Sequence, residues 1–532
     1  MIDNIYFDKA SYNGLDTINL IIENTQSTEP CTIEIFELDK LIKTINSELL
    51  IGLNSIELGF FENKLAGYRI FVKQGNVLFT QVFSIDPNEK IIRYGFLSDF
   101  EKFDNDEDIK WMNSNHLNYI QFYDWSYRHH KMLPPKIIFK DAMNKVSNLD
   151  VIKKKIESCT KRNMKTMAYG PVYAASKDFY EDHKEDAYYS HDKKPLTFID
   201  IFYFMNISEK SNWPKHIISQ YKESIEKLGF SGIHLDTYGY PKRALDYNNQ
   251  VKYLEKDLPI FLDKVAKELK EAPLIFNNVG AWPLGKIMDC NQKAIYIEVW
   301  PPYETFYNLK EIITKAKESL KPVVLASYIA SFRLDRERAL YSALLTTFYI
   351  NTLGATHLYL GEEGCVITQG YYCDYTKLRD NEILKIQRYQ DFFVSYQQLL
   401  FDESLKDVSM THCGWDNEEY KIDGNYSLTS EANKISTVIR SNGKKHLISF
   451  LNLENNDFKW NEGKNEPNLS SVLHIEVQVF KSVESVYFTD PDSNIFLPQK
   501  LDFTRAEGSR SDIIKFRVPS FKVGSIIWLE EK

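Results

Sequence analysis

The sequence predicts an α/β protein built around a (β/α)8 barrel. A small β-sandwich of immunoglobulin-like size precedes the barrel, and a second all-β domain follows it. Three observations carry this reading. From about residue 91 to about 408, strand-like and helix-like segments alternate with a count of eight. Before residue 91 the hydrophobic period is two, and beyond about residue 408 the helical period disappears again. A chain of 532 residues also has the length of about three to four domains.

Taken in order, residues 1–90 hold alternating stretches at 18–23 and 32–38, and a hairpin of 68–73 and 77–85 around Gln74-Gly75-Asn76. Residues 91–408 carry the predicted barrel strands 93–98, 118–125, 165–173, 232–238, 273–279, 294–300, 322–328 and 355–361. Each is followed by a helical pattern, for example at 151–162, 216–228, 253–269, 309–320, 336–352 and 382–400. The zone exceeds the roughly 250 residues of a typical barrel, mainly through the third strand-to-helix loop at 174–214, which includes the aromatic stretch 198–204. Residues 409–532 open with a hairpin of 435–440 and 446–453 around Asn442-Gly443, followed by strands at 474–480, 486–488, 513–518 and 524–529. With no internal repeat or low-complexity linker, the three units are expected to pack closely.

Composition narrows the function. Hydrophobic residues at 43% and charged residues at 26% are ordinary for a globular chain. A balance of 65 basic against 74 acidic side chains, net −9, argues against a nucleic-acid backbone binder, which needs a basic stripe. No run reaches the roughly 18 apolar residues of a membrane helix, so no membrane insertion is expected. The 14% aromatic share suits sugar rings and plain cores equally. Cys31, Cys159, Cys290, Cys365, Cys373 and Cys413 form no C-x-x-C pair and no zinc-ligand spacing with histidine. No metal is therefore expected, and buried free thiols are favoured over a Cys365–Cys373 bridge. The opening Met1-Ile2-Asp3-Asn4-Ile5 has neither a basic n-region nor an apolar h-region. The expected compartment is the cytoplasm, or the exterior if a leader has been removed.

Reactive groups of such a barrel lie at the C-terminal ends of its strands, and strand side chains alternate faces. The fourth strand reads Gly232-Ile233-His234-Leu235-Asp236-Thr237-Tyr238. Ile233 and Leu235 therefore face the helices, and His234 and Asp236 face the mouth. In the sixth, Ile295-Tyr296-Ile297-Glu298-Val299-Trp300, the same parity turns Tyr296, Glu298 and Trp300 inward. Glycosidic cleavage needs two such carboxylates, one to protonate the departing oxygen and one to meet the oxocarbenium-like carbon. The second strand ends Gln121-Phe122-Tyr123-Asp124-Trp125, followed by Tyr127-Arg128-His129-His130, an aromatic platform with hydrogen-bonding groups. Asn277-Asn278, Ser98-Asp99 and Glu362-Glu363 complete a polar rim suited to a polyhydroxylated neutral ligand.

Plainer readings stand beside these. A strand-end Asp commonly caps a helix or pairs with Arg, although the matching Glu298 favours a functional Asp236. Adjacent histidines more often hydrogen-bond than bind metal. Glu362-Glu363 reads equally as a solvated loop, Trp300 before Pro301-Pro302 as rim packing, and residues 104–108 as the acidic first turn of a helix. No strand end offers a Schiff-base lysine, Gly361-Glu362-Glu363-Gly364 is too acidic for a phosphate loop, and neither H-E-x-x-H nor a P-loop pattern occurs.

The stretches Tyr94-Gly95-Phe96-Leu97-Ser98-Asp99-Phe100, Gln121-Phe122-Tyr123-Asp124-Trp125-Ser126-Tyr127-Arg128-His129-His130, Gly232-Ile233-His234-Leu235-Asp236-Thr237-Tyr238-Gly239 and Tyr296-Ile297-Glu298-Val299-Trp300-Pro301 resemble glycoside hydrolase family 66. That family contains endo-dextranases and cycloisomaltooligosaccharide glucanotransferases. The resemblance covers nearly the whole chain and implies an immunoglobulin-like domain, a catalytic barrel and a C-terminal β-sandwich. It implies a retaining mechanism with Asp236 as nucleophile and Glu298 as general acid/base, the latter raised in pKa by desolvation beside Tyr296 and Trp300. It implies an α-1,6-glucan substrate and no cofactor. Asp124, Trp125, Arg128, Tyr169, His234, Tyr238, Asn277 and Trp300 would contact glucose rings, with Glu362 joining them from the eighth strand's end.

Two departures matter. Cyclising members carry an extra carbohydrate-binding domain between the seventh strand and its helix, and residues 328–336 leave no room for it. The expectation is thus a monomeric, retaining endo-dextranase that hydrolyses internal linkages of dextran and isomaltooligosaccharides. A cycloisomaltooligosaccharide glucanotransferase and a non-catalytic α-glucan-binding protein are the alternatives. The second departure is the missing secretion signal; in the cytoplasm the natural substrates would be imported isomaltooligosaccharides.

Overall fold

The computed structural model describes residues 2–25, 29–103, 105–493 and 495–532. Met1 and Asp104, both considered in the sequence, lie outside the described residues. At its centre stand eight parallel strands, numbered here β1 (Tyr94–Leu97), β2 (Tyr119–Phe122), β3 (Lys165–Pro171), β4 (Gly232–Asp236), β5 (Leu274–Val279), β6 (Ala294–Glu298), β7 (Val323–Ala326) and β8 (Thr356–Leu358). Their spatial order follows the chain. A parallel bridge from Phe96 to Gly361 joins the two ends, and the Thr356 hydroxyl donates to the Ile92 carbonyl at 2.5 Å. Such strands are covered on both faces, which is why they read as nearly continuous apolar runs; every residue of β6 is buried.

Helices cover the outside. Trp213–Leu228 begins with Pro214 in its first turn and ends at Gly229, whose φ of +84° is the left-handed cap glycine adopts cheaply. Ile217, Ile218, Tyr221 and Leu228 bury one face of it against the sheet. The expected helix after β5 shrinks to Leu284–Ile287. Pro283 and Gly285 in so short a connection leave little that favours a longer helix. The acidic stretch near 104–108 leads into Glu107–Ser114, with Glu107 and Asp108 in its first turn.

The N-terminal residues fold as a three-stranded sheet (Ile2–Phe7, Ile18–Asn24, Gly52–Gly59) facing a four-stranded one (Lys40–Glu48, Pro30–Glu37, Ala66–Gln74, Val77–Ile85). Strand alternation places Ile18, Leu20 and Ile22 opposite Ile33 and Ile35 in its core. The C-terminal residues form a second pair of sheets around Ile439, Ile448, Phe450, Val477 and Ile514. All six cysteines are free, with only Cys373 partly exposed.

Polar clasps join these units. Arg69, on an N-terminal strand and buried, donates to the Tyr396 hydroxyl at 2.5 Å and to the carbonyls of Phe496 and Leu38. Tyr396 follows the last barrel helix, Asp380–Ser395, and Phe496 lies between the C-terminal strands Val483–Thr489 and Gln499–Leu501 while packing into the barrel core. One guanidinium thus ties all three units together. Gln397 works beside it: its amide donates to Ala66 O at 2.6 Å and accepts from Arg93 at 2.6 Å and Ser84 at 2.9 Å. Arg69→Met would leave the Tyr396 hydroxyl and the Phe496 carbonyl bonded to each other and would deprive the half-buried Leu38 carbonyl of its donor, at about 1–3 kcal/mol. Urea unfolding is expected to show a loss of about that size, and a loss no larger than a surface substitution's roughly 0.5 kcal/mol would contradict the clasp.

Candidate active site

The pairing register explains how the mouth is assembled. Between β4 and β6 lies β5, which sets Asn277 beside Tyr296, and Val279 beside Glu298. Asp236 ends β4 and Glu298 ends β6, so the intervening strand supplies whatever stands between them. That residue is Asn277. Its Nδ2 donates to Asp236 Oδ1 at 2.7 Å and to Glu298 Oε2 at 2.9 Å. The two carboxyl oxygens can be no further apart than the sum of those distances.

Each carboxyl has further donors. Asp236 accepts from the Thr237 backbone N–H at 2.9 Å and from the Tyr169 hydroxyl. Glu298 accepts from the Tyr328 hydroxyl at 2.6 Å and from the Trp300 indole N–H. Burial raises both carboxyls above the ordinary range, and the charge of Glu298 raises Asp236 further. Two carboxyls this close titrate as one unit and hold one proton between them over a wide pH span. Tyr328 stays a donor because burial, and then Glu298, push its phenol well up.

Around the pair stands an aromatic wall. Phe198 stacks on Tyr238 with centroids 4.2 Å apart, and Phe202 stacks on His129 at 4.2 Å. Both Phe residues belong to the third strand-to-helix loop, whose short strands Ala174–Ala175, Phe202–Phe204 and Thr197–Phe198 form a separate small sheet. The Tyr238 hydroxyl lies 3.4 Å from His129 Nδ1, and His129 Nε2 lies 3.7 Å from Asp124 Oδ1. Opposite, Tyr372 stacks on Tyr123 at 4.5 Å and its hydroxyl meets that of Tyr296 at 2.7 Å. Gly370 passes so near that a β-carbon there would stand 3.2 Å from Glu298 Oε1. Trp300 remains 39% exposed at the rim. Among the described residues, no cluster of three or more His, Cys, Asp or Glu side chains is placed to hold a metal ion.

The structure thus gathers Asp236, Glu298, Asn277, Tyr169, Tyr238, Asp124 and Trp300 at one mouth, and corrects the placements of Trp125, His234 and Glu362. Trp125 is fully buried, packs against Phe230 at 4.9 Å and donates to the Tyr169 carbonyl. β2 stops at Phe122, and Asp124 turns the chain with a φ of +46°, which sends Trp125 away from the mouth. His234 is buried between Tyr94 and Tyr296, with its Nδ1 3.0 Å from the Tyr94 hydroxyl. Burial pushes its pKa down to about 3, so it is a neutral part of the barrel floor. Arg128, half-buried, lies over the Tyr127 ring and donates through Nη1 to the carbonyls of Tyr127 and Lys140, which leaves its expected contact with a ligand uncontradicted. Glu362 is 2% exposed and accepts from Ser98 N, Ser98 Oγ and Asp99 N, each at 2.9 Å. Its other oxygen faces Lys155 at 3.6 Å, and Lys155 also holds Asp108. Glu362 is a buried tie between β1 and β8, while Glu363 pairs with Lys377 on the surface.

Tyr328, Tyr372 and Gly370 were not identified from sequence, whereas Tyr123 stood within the aromatic platform read after the second strand. Tyr328 could have been: Val324, Ala326 and Tyr328 share the inward parity that located Glu298. Tyr372 and Gly370 come from a loop with no periodicity to read.

The Tyr328 bond favours ionised Glu298. Tyr328→Phe is therefore expected to move the upper apparent pKa of the pair upward by about one pH unit, read from carboxyl 13C shifts of glutamate-labelled protein. An unchanged or lower value would detach Tyr328 from the pair.

Comparison with known proteins follows the same lines. Cycloisomaltooligosaccharide glucanotransferase of Niallia circulans is 21% identical over 99% of this chain and 72% of its own length. That match runs over 705 residues against 532 here, so the relative carries stretches with no counterpart in this chain. The structure of a Paenibacillus sp. cycloisomaltooligosaccharide glucanotransferase complexed with cycloisomaltoheptaose shares the fold over 99% of both chains, with a TM-score of 0.89 at 18% identity. The α-amylase of Geobacillus thermoleovorans, complexed with acarbose, is a more distant fold neighbour, with a TM-score of 0.51 at 11% identity over 83% of this chain and 99% of its own. The description of glycosyl hydrolase family 66 matches residues 7–528, and the chain belongs to that family.

Proposed function

We propose that this protein cleaves α-1,6-glucan by double displacement at Asp236 and Glu298. The observation that carries this reading is the single Asn277 amide nitrogen within reach of both carboxyls. It supports the roughly 5–5.5 Å separation of a retaining enzyme over the roughly 6.5–9.5 Å of an inverting one, which must fit a water between them. Asp236 attacks the anomeric carbon as the bond to the leaving oxygen breaks, and the Glu298 proton goes to that oxygen. Glu298 then takes a proton from an acceptor hydroxyl, whose oxygen bonds the anomeric carbon and releases Asp236. The Asn277 amide, the Tyr169 hydroxyl and the Thr237 N–H hold Asp236 ionised once a substrate shares the Glu298 proton.

Two fates of the glycosyl-enzyme follow. The names of the curated relatives favour a sugar hydroxyl as acceptor, hence transglycosylation to cyclic or rearranged α-1,6-glucans. They lend no support to the expected endo-dextranase. Hydrolysis stands as the second reading because those relatives carry stretches this chain lacks, and because only residues 327–338, with the short helix Ser331–Leu334 among them, separate β7 from the helix Ala339–Thr352.

A time course on dextran separates them. Transfer yields cyclic products, lighter by one water and without reducing ends, whereas hydrolysis yields linear isomaltooligosaccharides. Hydrolysis should release the α-anomer first by NMR and transfer should leave the new linkage α, and an initial β-anomer or a β-linkage would exclude double displacement. Glu298→Gln is expected to lower turnover roughly hundred- to ten-thousandfold, and Asp236→Asn at least as much. Full activity in either variant would sink the proposal.

A further inference from the structure

Three buried phenols stand in a row behind Glu298, each from a different part of the barrel. Tyr296 lies on β6, two residues before Glu298, so both side chains point inward. Tyr328 follows β7, and Tyr372 comes from the irregular loop between the short strands Cys365–Val366 and Thr376–Lys377. The Tyr296 and Tyr372 hydroxyls lie 2.7 Å apart, and those of Tyr372 and Tyr328 3.5 Å apart. The Tyr328 hydroxyl closes the row at 2.6 Å from Glu298 Oε1.

Each phenol has one hydrogen, and this fixes the direction of the row. The short contact with the carboxyl claims the Tyr328 hydrogen. A hydrogen shared between Tyr328 and Tyr372 must then come from Tyr372. With that one committed, the hydrogen between Tyr372 and Tyr296 comes from Tyr296. The row therefore runs one way, from Tyr296 through Tyr372 and Tyr328 to Glu298 Oε1. Hydrogen bonds aligned head to tail polarise one another, so each makes the next group a better donor. The 3.5 Å step is long for an O–H···O bond and is the weakest link. With Oε1 taken by the Tyr328 hydrogen, the proton that Glu298 carries is left to Oε2, the oxygen that faces Asn277.

The Tyr372 ring is fixed on three sides. It stacks on Tyr123 at 4.5 Å, and makes edge contacts with Phe96 at 5.3 Å and Tyr328 at 6.0 Å. The Tyr123 hydroxyl donates to the Gly370 carbonyl at 3.3 Å, two residues before Tyr372. A β-carbon at Gly370 would also stand 3.4 Å from Trp300, the other side chain that donates to Glu298 beside Tyr328 and Asn277. The loop after β8 thus reaches Glu298 from behind without a strand to carry it there. The titratable groups facing the row are Glu298 and Asp236 at one end, and Tyr94, Tyr123 and His234 at the other. Cys373, next in the chain, lies 3.5 Å from Lys145 Nζ.

We propose that Tyr372 is a positioning residue for the acid/base: its hydroxyl turns the Tyr328 hydrogen onto Glu298, so it acts through Tyr328 and not on the carboxyl directly. The proposal rests on the reading of Glu298 as acid/base. It makes the loop after β8 a part of what decides when Glu298 gives up its proton.

Carboxyl 13C titration of the full-length, glutamate-labelled protein tests this without a substrate. Tyr372→Phe keeps the ring and its stack and removes the hydroxyl. The upper apparent pKa of the Asp236–Glu298 pair is expected to rise by about half a pH unit, less than in Tyr328→Phe. In a Tyr328→Phe background the same substitution should add nothing, because the row is already cut. An unchanged or lower value in folded Tyr372→Phe overturns the proposal. So does an equal rise in the Tyr328→Phe background, since repacking of the loop would act whether or not Tyr328 has its hydroxyl. Should Tyr372→Phe misfold by circular dichroism, Tyr296→Phe cuts the row one step earlier; a smaller rise, again lost without the Tyr328 hydroxyl, is expected, and no rise overturns the proposal. The alkaline limb of kcat/KM on dextran should move up with the pKa. A shifted pKa with an unmoved limb would support the positioning and count against the activity reading alone.

Discussion

Two carboxyl groups that repel one another are held within the reach of one amide nitrogen, and much of the barrel mouth follows from that arrangement. Placed so close in a buried setting, Asp236 and Glu298 cannot both stay ionised without compensation. Asn277 bridges them, Tyr169 and Thr237 serve one side, and Tyr328 and Trp300 serve the other. The parallel register makes this possible, because β5 runs between the two strands that carry the acids. Tyr296 and Tyr372 close the space behind, so the donors face the reacting atoms with little freedom to turn.

Much of this was legible in the sequence because strand parity is a local property. Apolar residues at Ile233, Leu235, Ile295 and Ile297 leave only one direction for Asp236 and Glu298. What failed depended on events that periodicity does not record. Trp125 was misplaced because the chain leaves the strand at Phe122 and turns at Asp124, a backbone choice that sequence alternation cannot show. Glu362 was misplaced because its partner Lys155 lies on a helix some two hundred residues away, and only the closed barrel brings them together. Tyr372 and Gly370 reach the site through an irregular loop. The shortened helix after β5 was overcounted because the fold's own regularity suggested a full one.

One fastening of the flanking sandwiches lies on the last segment of the barrel. Arg69, Gln397 and Arg93 meet there, and the first two bond groups from more than one unit. Further polar contacts spread the C-terminal attachment over the barrel: Arg388 donates to the Pro491 carbonyl, Ser342 to that of Glu462, and the Trp460 indole to that of Tyr303, close behind Glu298.

The loop after β3 has a small sheet of its own, joined to the barrel mouth through Phe198 and Phe202 but hydrogen-bonded outside the eight-stranded sheet. The groove's shape on that side is thereby uncoupled from the strands that hold the acids. Substitutions, insertions or deletions among residues 174–212 can lengthen, shorten or roof the groove while leaving the reaction centre intact. Within this architecture, preference for chain length is free to diverge among descendants faster than the chemistry itself.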